Sequence, residues 1–458
     1  MQATTPATKA RPRVVIVGGG FGGLFAARAL RRTSADVTVV DRTEHHLFQP
    51  LLYQCATGIL SEGQIAVPQR ELLRKMHNTE FVLAKVTGFD VKRRVVTGQQ
   101  PTGTSVELPY DYLIVAAGVQ QSYFGHDEFA QFAPGMKTLT DALAIRQRVF
   151  GAFELAESAQ DDTNRRRWLT FALVGAGPTG VELAGQVREI ATLTLRNEYR
   201  RADPNEARVL LFDGGDKPLA AMGDKLSEKA RQALRRNGVE LHMHSIVTEV
   251  NRQGVLVRGA DGGVTHYDAG TVLWTAGVEA PALAKELATA AGAEQDRSGR
   301  IIVTPQTTIP NHPEIHVVGD LMHLGNLPGM AEVAMQSGLY AGRRVRDQIR
   351  GKPADKAFRY HDFGSAAYIR RGDAVVAAGP LHFAGFFGWL SWLFIHIAFL
   401  TGYRNRITAV FTWMFAFSRE KRRERAYTVE QIERLRDVYT PAIDVTDTAD
   451  TARTSTQR

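Results

Sequence analysis

Three glycines and one aspartate near the N-terminus are the first residues whose spacing indicates chemistry. Gly18, Gly20 and Gly23 follow a β-branched run and precede a segment rich in alanine and leucine, which predicts a strand, a tight turn and a helix. The first glycine makes the turn, the second admits a pyrophosphate, and the third packs the helix on the strand. Asp41 ends the next predicted strand, where an acidic residue binds a ribose hydroxyl. We therefore expect an adenine dinucleotide here.

A second glycine triplet, Gly175, Gly177 and Gly180, follows another apolar strand and opens another helix. The strand after that helix ends in Asp213. An acid at this place favours the free 2′-hydroxyl of NAD(H), whereas NADP(H) would require an arginine for its 2′-phosphate. Glu182 has two equally weighted interpretations: it reaches the nicotinamide side of the cleft, or it is a helix-start carboxylate stabilised by the helix dipole. The second site is thus predicted to prefer NADH.

The elements around the two triplets repeat in the same order. Residues 112–118 and 271–277 are both apolar strands that end in Ala-Gly, as expected for buried parallel strands that approach a cofactor. Residues 315–320 are expected to return to the first domain, where Asp320 is a candidate hydrogen-bond partner for the sugar-like chain of a flavin. A flavin at the first site and a nicotinamide at the second would make the chain a hydride-transfer enzyme. The predicted fold class is α/β, with two Rossmann-like dinucleotide-binding domains.

Several local predictions follow from spacing and composition. Residues 140–159 have helical spacing, the helix of the second triplet is expected to continue to about residue 198, and 161–167 is expected to be a solvated turn. Residues 45–58 are either a buried loop that covers an isoalloxazine ring or ordinary core. The two adjacent histidines of that segment lack a nearby third ligand, so no metal site is predicted.

Charge and cysteine content narrow the functional classes. The net charge is +8 and the pI is about 9.5, which would suit nucleic acid, an anionic membrane or acidic cofactors. The single cysteine, Cys55, excludes an intramolecular disulfide, a cysteine-rich zinc site and a cysteine-ligated iron–sulfur cluster. The N-terminus is polar and lacks the apolar segment of a secretory signal, so we expect the body of the protein to be cytoplasmic.

The C-terminal region combines apolar and basic residues. Residues 383–403 are long enough to span a bilayer, but glycine, serine and histidine interrupt them, and a second apolar stretch follows at 407–417. Flanking arginines and abundant aromatic side chains favour a monotopic anchor at an anionic surface, and a buried dimer interface is the alternative. Nucleic acid is not expected, because the basic cluster adjoins the apolar segment. The flanking basic residues are Arg404, Arg406, Arg419, Lys421, Arg422, Arg423 and Arg425.

Taken together, these residues resemble the flavoproteins with two dinucleotide-binding domains and, more closely, the type II NADH:quinone oxidoreductases, single-subunit respiratory dehydrogenases that do not pump protons. The resemblance covers roughly residues 12–430. Its motifs are VVIVGGGFGGL, HHLFQPLLYQ, LIVAAG, VGAGPTGVELAG, WTAGV, VVGD and AEVAMQSG. It implies FAD binding by Gly18, Gly20, Gly23, Asp41 and Asp320. It implies NADH binding by Gly175, Gly177, Gly180, Glu182 and Asp213.

The resemblance also implies a division of the chain and a place in the cell. The enzyme would pass electrons from NADH through FAD to a quinone at the cytoplasmic face of the cell membrane, as a peripheral or monotopic protein; homodimer formation is left open. The predicted parts are 12–120 and 295–380 for the FAD-binding domain, 165–285 for the NADH-binding domain, 383–430 for the membrane anchor and 440–458 for a disordered tail.

The chain departs from the family pattern on the acceptor side. The family commonly has two glutamines in an AQxAxQ helix beside the flavin and the quinone; here the first is Glu332, and the second is retained as Gln336. Phe363 stands where a lysine is frequent. A buried carboxylate tends to have a raised pKa, so Glu332 could donate a proton. The predicted catalytic residues are Glu182, Glu332 and Gln336.

Two alternatives remain at this stage. Cys55 lies at a distance from the first triplet comparable to that of the redox cysteine in NADH oxidases, NADH peroxidases and coenzyme A disulfide reductases, which would need a thiolate. The second alternative is a flavin-bearing membrane redox sensor with weak acceptor activity, suggested by Glu332 and Phe363.

Overall fold

The computed structural model describes residues 10–353, 355–419, 421–426 and 428–433, so the predicted disordered tail at 440–458 lies outside the described residues. The first part of the chain forms β1 (Arg13–Val17), α1 (Phe21–Leu30), β2 (Asp36–Asp41), β3 (His45–Leu47), α2 (Leu52–Ala56), α3 (Glu62–Ile65), β4 (Ala66–Pro68), α4 (Gln69–Leu73), β5 (Thr79–Leu83), β6 (Lys85–Asp90), β7 (Val95–Gln99), β8 (Ser105–Pro109), β9 (Tyr112–Val115) and β10 (Gln120–Gln121).

Two further groups of elements complete the described chain. The middle part forms α5 (Leu139–Ser158), α6 (Asp162–Trp168), β11 (Thr170–Val174), α7 (Pro178–Glu189), β12 (Arg208–Phe212), α8 (Asp224–Arg236), β13 (Val239–His242), β14 (Ile246–Asn251), β15 (Gly254–Arg258), β16 (Val264–Asp268), β17 (Thr271–Trp274) and β18 (Val278–Glu279). The last part forms α9 (Ala282–Ala291), β19 (Ile301–Ile302), β20 (Thr308–Ile309), β21 (His312–Val317), β22 (Met322–His323), α10 (Ala331–Ile349), β23 (Ser365–Arg370), β24 (Asp373–Ala378), β25 (Leu381–Ala384), α11 (Gly385–Phe399) and α12 (Tyr403–Arg419).

The first large sheet has the strand order β20-β21-β9-β1-β2-β5. Its central strand β1 pairs in parallel with β2 on one side and β9 on the other, and Val14 is opposite both Val37 and Tyr112. The strand order reverses beside β1, which opens a crevice at the carboxyl ends of the strands. Strand β21 pairs in parallel with β9, so the chain returns to this sheet after the middle part, as the sequence predicted.

The second large sheet repeats the first on a smaller scale. Its order is β13-β12-β11-β17, all parallel, and every residue of β11 is buried, as expected for a strand with helices on both faces. Each large sheet is accompanied by a three-stranded antiparallel sheet, β6-β7-β8 or β14-β15-β16. The predicted α/β fold class and the repetition of one unit are therefore confirmed.

Two local predictions in the middle part are wrong, and one is confirmed. Helix α5 agrees with the helix predicted at 140–159. Helix α7 ends at Glu189 rather than near residue 198, because its hydrogen bonding widens into a π-turn over Ile190–Thr194 before the chain turns away. Residues 161–167 are not a solvated turn: the Asp161 side chain accepts from the Asn164 backbone N–H at 2.8 Å and caps helix α6.

The C-terminal apolar stretch folds as two helices: α11 packs on a third small sheet, β23-β24-β25, and α12 packs on α3 and α11. Strand β23 packs on α7, and β24 packs on α8 and α11. The helical stretch breaks after Phe399 and resumes at Tyr403, so residues 383–403 do not form one continuous helix. None of the helices in the described part of the chain has the length and apolar character needed to cross a bilayer.

Candidate functional site

The first glycine-rich loop joins β1 to α1 and forms a cradle. Gly18 has a φ of +99°, and a Cβ there would overlap the Ala116 carbonyl oxygen, so only glycine fits the turn. Nothing lies near the position that a Cβ of Gly20 would take, which leaves open space at the helix N-terminus where phosphates bind. Asp41 Oδ2 accepts from the Gly19 backbone N–H at 2.6 Å, so the predicted ribose-binding carboxylate also holds the loop.

The second loop, between β11 and α7, has the same geometry. Gly175 has a φ of +102°, and the space beside Gly177 is open. Asp213 Oδ2 accepts from the Ala176 backbone N–H at 2.6 Å, and its Oδ1 accepts from the Gly215 N–H at 2.7 Å. Two dinucleotide cradles with matching carboxylates therefore exist in one chain, and their residues fit the adenine dinucleotides that the sequence predicted.

Asp320 lies behind the first cradle, after the turn at Gly319, where φ is +70°. Its Oδ1 is enclosed and has no hydrogen-bond partner among the described residues. Burial raises the pKa of this carboxyl, and the nearby Lys137 ammonium opposes that rise. An enclosed acceptor without a partner fits a hydroxyl of a bound cofactor, because an unpaired buried carboxylate is otherwise costly.

Lys137 lies near Asp320, and the sequence analysis did not identify it as a candidate site residue. Burial lowers the pKa of its amine, and the Asp320 carboxylate counteracts that shift. Its backbone carbonyl accepts from Gln49 Nε2 at 3.1 Å, so it is tied to the segment proposed to cover a flavin. No motif surrounds Lys137, and only the tertiary structure brings it to Asp320.

Glu182 lies in the first half of α7 and faces β23, in the small sheet β23-β24-β25. Its side chain is buried, and its Oε1 accepts from the Tyr368 backbone N–H at 3.3 Å. Burial raises the pKa of Glu182 well above its ordinary value. A Cβ at Gly185 would overlap the Ile369 carbonyl, so the helix and β23 are in close contact. Glu182 lies beyond the first turn of α7, which disfavours the helix-dipole interpretation. Its reach toward a nicotinamide stays a prediction.

Glu332, Gln336 and Phe363 come together at the start of α10. Glu332 Oε2 accepts from the Phe363 backbone N–H at 3.3 Å and from the Tyr360 hydroxyl at 3.4 Å. Gln336 donates from Nε2 to the His361 carbonyl at 2.8 Å and accepts from the His361 N–H at 3.0 Å. Burial raises the pKa of Glu332. The neighbouring Phe363 is 58% exposed. The helix thus holds the 360–363 segment with a partly buried carboxyl beside it.

Cys55 does not have the environment of a redox thiol. It is fully buried in α2, within the core that α2 forms with α5. Burial raises its pKa to about 12, so the thiolate is not populated near neutral pH. The alternative mechanism through Cys55 is therefore not supported.

Arg422 is one of the basic residues that the sequence analysis expected to flank an anchor at an anionic surface, and it lies in the interior instead. Its guanidinium is buried, pairs with Glu189 at 3.3 Å and donates from Nη1 to the Thr57 carbonyl at 2.8 Å. Glu189 also accepts from the Tyr368 hydroxyl at 3.1 Å. This network joins the chain after α12 to α7 and to β23. The sequence contains no local signal for it, because the two charged partners are 233 positions apart.

Helices α11 and α12 expose a continuous set of large apolar side chains. Phe387 is 71% exposed and Phe394 is 74% exposed, although both belong to an almost uncharged helix. The opposite side of the pair packs inward through Trp392 and Trp413. The exposed members are Phe386, Phe387, Leu390, Phe394, Phe399, Tyr403, Ile407, Val410, Phe411, Met414 and Phe415; we call them the apolar face.

Known proteins are similar to this chain in sequence and in fold. Residues 12–338 match the model of the pyridine nucleotide-disulphide oxidoreductase family. The type II NADH:quinone oxidoreductase NdhA of Mycobacterium tuberculosis is 48% identical over 426 residues, which cover 92% of this chain and 90% of that protein. The type II NADH:quinone oxidoreductase Ndh of the same organism is 44% identical over 94% of this chain and 93% of its own length.

A solved structure of NDH2 from Plasmodium falciparum in complex with NADH superposes with a TM-score of 0.83 and covers 91% of this chain and 100% of that chain. Its sequence identity is 18%, so that likeness shows the fold alone. The family match spans more than half of the chain, and the mycobacterial relatives extend over nearly all of it. The chain belongs to the pyridine nucleotide-disulphide oxidoreductase family and, within it, to the type II NADH:quinone oxidoreductases.

Proposed function

We propose that this enzyme binds FAD in the first cradle and NADH in the second, and passes two electrons from NADH through FAD to a quinone. The observation that carries the proposal is the pair of matched cradles, each with its own carboxylate, Asp41 or Asp213. The enclosed oxygen of Asp320 supports a resident cofactor in the first cradle. The corresponding division is 12–120 and 295–380 for FAD and 165–285 for NADH.

The chain's residues bind and orient the two nucleotides, while the flavin cofactor supplies the redox chemistry. FAD, when bound, accepts a hydride and passes its electrons onward. Gly20 and the N-terminus of α1 receive its phosphates, and Asp41 and Asp320 accept hydrogen bonds from its hydroxyls. Gly177 and the N-terminus of α7 receive the phosphates of NADH. Asp213 favours NADH over NADPH, because the 2′-phosphate of NADPH would lie against its carboxylate.

The acceptor side needs a proton as well as electrons. Reduction of a quinone to a quinol takes two electrons and two protons, and a hydride brings both electrons but only one proton. Glu332 supplies the other, since its raised pKa keeps it protonated at higher pH than an ordinary carboxyl. Gln336 positions the 360–363 segment at the same place. Glu182 is the second proposed catalytic carboxyl; it is buried against β23, and burial raises its pKa.

The apolar face supports a position of the enzyme on a membrane surface. Aromatic helices of this kind lie in the interface with their apolar side in the lipid, and a quinone dissolved in the bilayer then reaches the acceptor side without crossing water. We propose peripheral or monotopic association with the cytoplasmic face of the cell membrane through 383–430. A homodimer that buries the same face is the competing arrangement, and sedimentation with and without lipid vesicles separates the two.

Stopped-flow mixing tests the electron path in two halves. NADH should reduce the bound flavin rapidly and NADPH slowly, and menaquinone or ubiquinone analogues should reoxidise it. Glu332→Gln should leave the first half unchanged and slow the second by about a hundredfold, the usual scale for loss of a positioned acid. The second half should also slow as pH rises through the pKa of Glu332, and this dependence should disappear in the variant.

Asp355→Asn is the matched control, because it removes an exposed carboxylate from the chain just before the 360–363 segment, and that carboxylate takes no part in the hydrogen bonds of Glu332. It should keep both half-reactions close to those of the wild type. A reduced enzyme that is indifferent to every quinone would reject the proposal and favour the redox sensor.

A further inference from the structure

An aromatic side chain is held in solvent at the edge of the second cradle. Phe124 is 67% exposed, and its φ of +53° is a left-handed conformation that bulky residues rarely adopt. Its backbone N–H donates to Ser122 Oγ at 3.3 Å, and Ser122 Oγ donates to Glu279 Oε2 at 2.8 Å. An exposed ring and a left-handed backbone both cost free energy, and residues held in this way cluster where ligands bind.

The ring of Phe124 lies directly over Gly277, which follows strand β17. Gly277 has a φ of +73°, and a Cβ there would overlap the ring. The ring also lies beside Trp274, with 6.4 Å between the ring centroids. Only glycine at position 277 therefore leaves room for the aromatic side chain.

Hydrogen bonds between two segments fix the ring in this place. Strand β10, which follows β9 of the first sheet, pairs antiparallel with β18, which follows β17 of the second sheet. Gln121 Nε2 donates to the carbonyls of Ala276 at 2.6 Å and Gly277 at 2.7 Å. Trp274 Nε1 donates to the Ser122 carbonyl at 2.9 Å. The position of the ring is thus set before any nucleotide binds.

The sheet order indicates which half of NADH lies near the ring. Asp213 follows β12 and Gly277 follows β17, and these strands lie on opposite sides of β11, which leads into the cradle. A Cβ at Gly175 would come within 2.7 Å of the Ala276 backbone nitrogen, so the chain after β17 borders the cradle. With the adenosine ribose at Asp213 and the phosphates at α7, the other half of the nucleotide extends toward β17. Phe124 is therefore on the nicotinamide side.

The segment that ends at Phe124 begins at the first cradle. The Ala116 carbonyl oxygen lies where a Cβ of Gly18 would be, so residues 116–124 lead from the proposed flavin site to the second cradle. A nicotinamide that transfers a hydride turns one face to the flavin. Its other face is then free to pack against an aromatic ring.

We propose that Phe124 binds NADH directly, with its ring packed on the nicotinamide ring, and thereby holds the nicotinamide in the orientation for hydride transfer to FAD. The inference rests on the proposed binding of NADH in the second cradle. It adds a contact for the nicotinamide, which the glycine triplet and Asp213 do not provide. Because the ring is already in place, little conformational entropy is lost when it binds.

The test compares NAD⁺ with ADP-ribose, which differ only in the nicotinamide. Calorimetric titration of the oxidised holoenzyme measures both affinities without turnover. Phe124→Gly removes the ring and suits the left-handed φ, so the fold should keep its stability. The variant should bind NAD⁺ about tenfold more weakly, the scale of one lost aromatic stacking contact, and bind ADP-ribose as the wild type does. Phe124→Tyr should keep the affinity for NAD⁺, because it retains the ring.

Stopped-flow kinetics give a second readout. Phe124→Gly should need about tenfold more NADH for half-maximal flavin reduction, and reoxidation by a quinone should be unchanged. Arg94→Gly is the matched control, because Arg94 is an exposed residue with a φ of +56° in the turn between β6 and β7. It should bind both ligands as the wild type does.

Other outcomes separate this inference from the proposed function. Equal affinity of the wild type and Phe124→Gly for NAD⁺ would overturn the inference and keep NADH as the electron donor. An equal loss for NAD⁺ and ADP-ribose would assign the effect to the cradle instead of the nicotinamide, and would also overturn it. A wild-type flavin that NADH does not reduce would reject the proposed function together with the inference.

Discussion

The two glycine-rich loops share their geometry but are held in place differently. In the first loop the Gly19 carbonyl accepts from His46 Nδ1 at 3.0 Å and from Gln69 Nε2 at 2.8 Å. In the second loop the equivalent Ala176 carbonyl accepts from the Leu219 backbone N–H at 2.9 Å. Side chains therefore clamp the first loop, whereas main chain closes the second, and in each case the partner belongs to the loop's own domain.

The clamp on the first loop also reaches the C-terminal helices. His46 Nε2 is 3.3 Å from the Thr401 hydroxyl, in the break between α11 and α12. A cofactor that stays bound needs a rigid cradle, whereas a substrate that exchanges at every turnover needs one that opens without disturbing the rest of the molecule. We therefore expect the same fingerprint to serve a resident nucleotide in the first domain and an exchanging one in the second, with the contacts outside the fingerprint responsible for the difference.

The largest expected effect comes from the third glycine of each loop. A Cβ at Gly23 would overlap the Gly18 carbonyl oxygen, and a Cβ at Gly180 would overlap that of Gly175. Gly23→Ala should yield protein without flavin or misfolded protein. Gly180→Ala should keep its flavin and raise the KM for NADH by about a hundredfold, since overpacking costs up to about 3 kcal/mol. Flavin absorbance per chain and NADH titration measure the two effects; loss of flavin from Gly180→Ala would show that the loops are not independent.

A smaller effect is expected from the carboxylates. Asp320→Asn should weaken FAD retention by about thirtyfold, because a hydrogen bond to a carboxylate contributes roughly 2 kcal/mol. Asp213→Asn, which changes the proposed ribose-binding carboxylate of the second domain, should raise the KM for NADH by about tenfold and leave flavin content unchanged. Flavin release during dilution and steady-state kinetics would measure these changes. Equal flavin loss in both variants would contradict separate roles for the two acids.

Local sequence patterns predicted those elements of the fold that depend on contacts between residues close in sequence. The glycine triplets, their aspartates and helix α5 follow from turn chemistry and hydrophobic spacing, and the structure has all of them. Helix α6 escaped prediction because its charged residues resemble a solvated turn, although Asp161 caps it.

The side-chain network beyond the fingerprints was not predictable in the same way. Lys137, His46 and Arg422 each acquire their role from a partner far away in sequence, and no spacing rule indicates such a pair. Arg422 shows the consequence: its place in a basic run indicated an exposed cation, whereas the structure buries it against Glu189. Glu332 and Gln336 were identified through a family resemblance, and the structure adds that they hold the 360–363 segment.

The clamp by His46 predicts that the first loop contributes to acid sensitivity. Burial lowers the pKa of His46 to about 4, below its value of about 6.5 in an unfolded chain. Between these values the unfolded chain binds a proton that the folded chain does not, so stability falls as pH decreases from 6.5 toward 4, by roughly 1.4 kcal/mol per unit for this group. The temperature of flavin release, followed by flavin fluorescence, should decrease over this window.

His46→Asn provides the control for that prediction. Its amide keeps an N–H donor for the Gly19 carbonyl but does not titrate. The variant should release flavin at a lower temperature at pH 7 and show a shallower pH dependence. The buried His316 and His396, whose pKa values are lowered to about 3 and about 4, maintain the remaining slope. Identical slopes in the wild type and the variant would assign the acid sensitivity to these other histidines.

The smallest effect is expected at Cys55, which is buried on α2. A thiol mechanism would require the Cys55 sulfur to take part in electron transfer, and Cys55→Ala would then abolish turnover. Burial raises the pKa of this thiol to about 12, so the group is inert and serves only to fill the core. We expect NADH:quinone turnover within about twofold of the wild type and a loss of roughly 1 kcal/mol in stability from the missing sulfur. Turnover and the unfolding midpoint, measured on one preparation, separate the two roles, because a structural cysteine changes only the second.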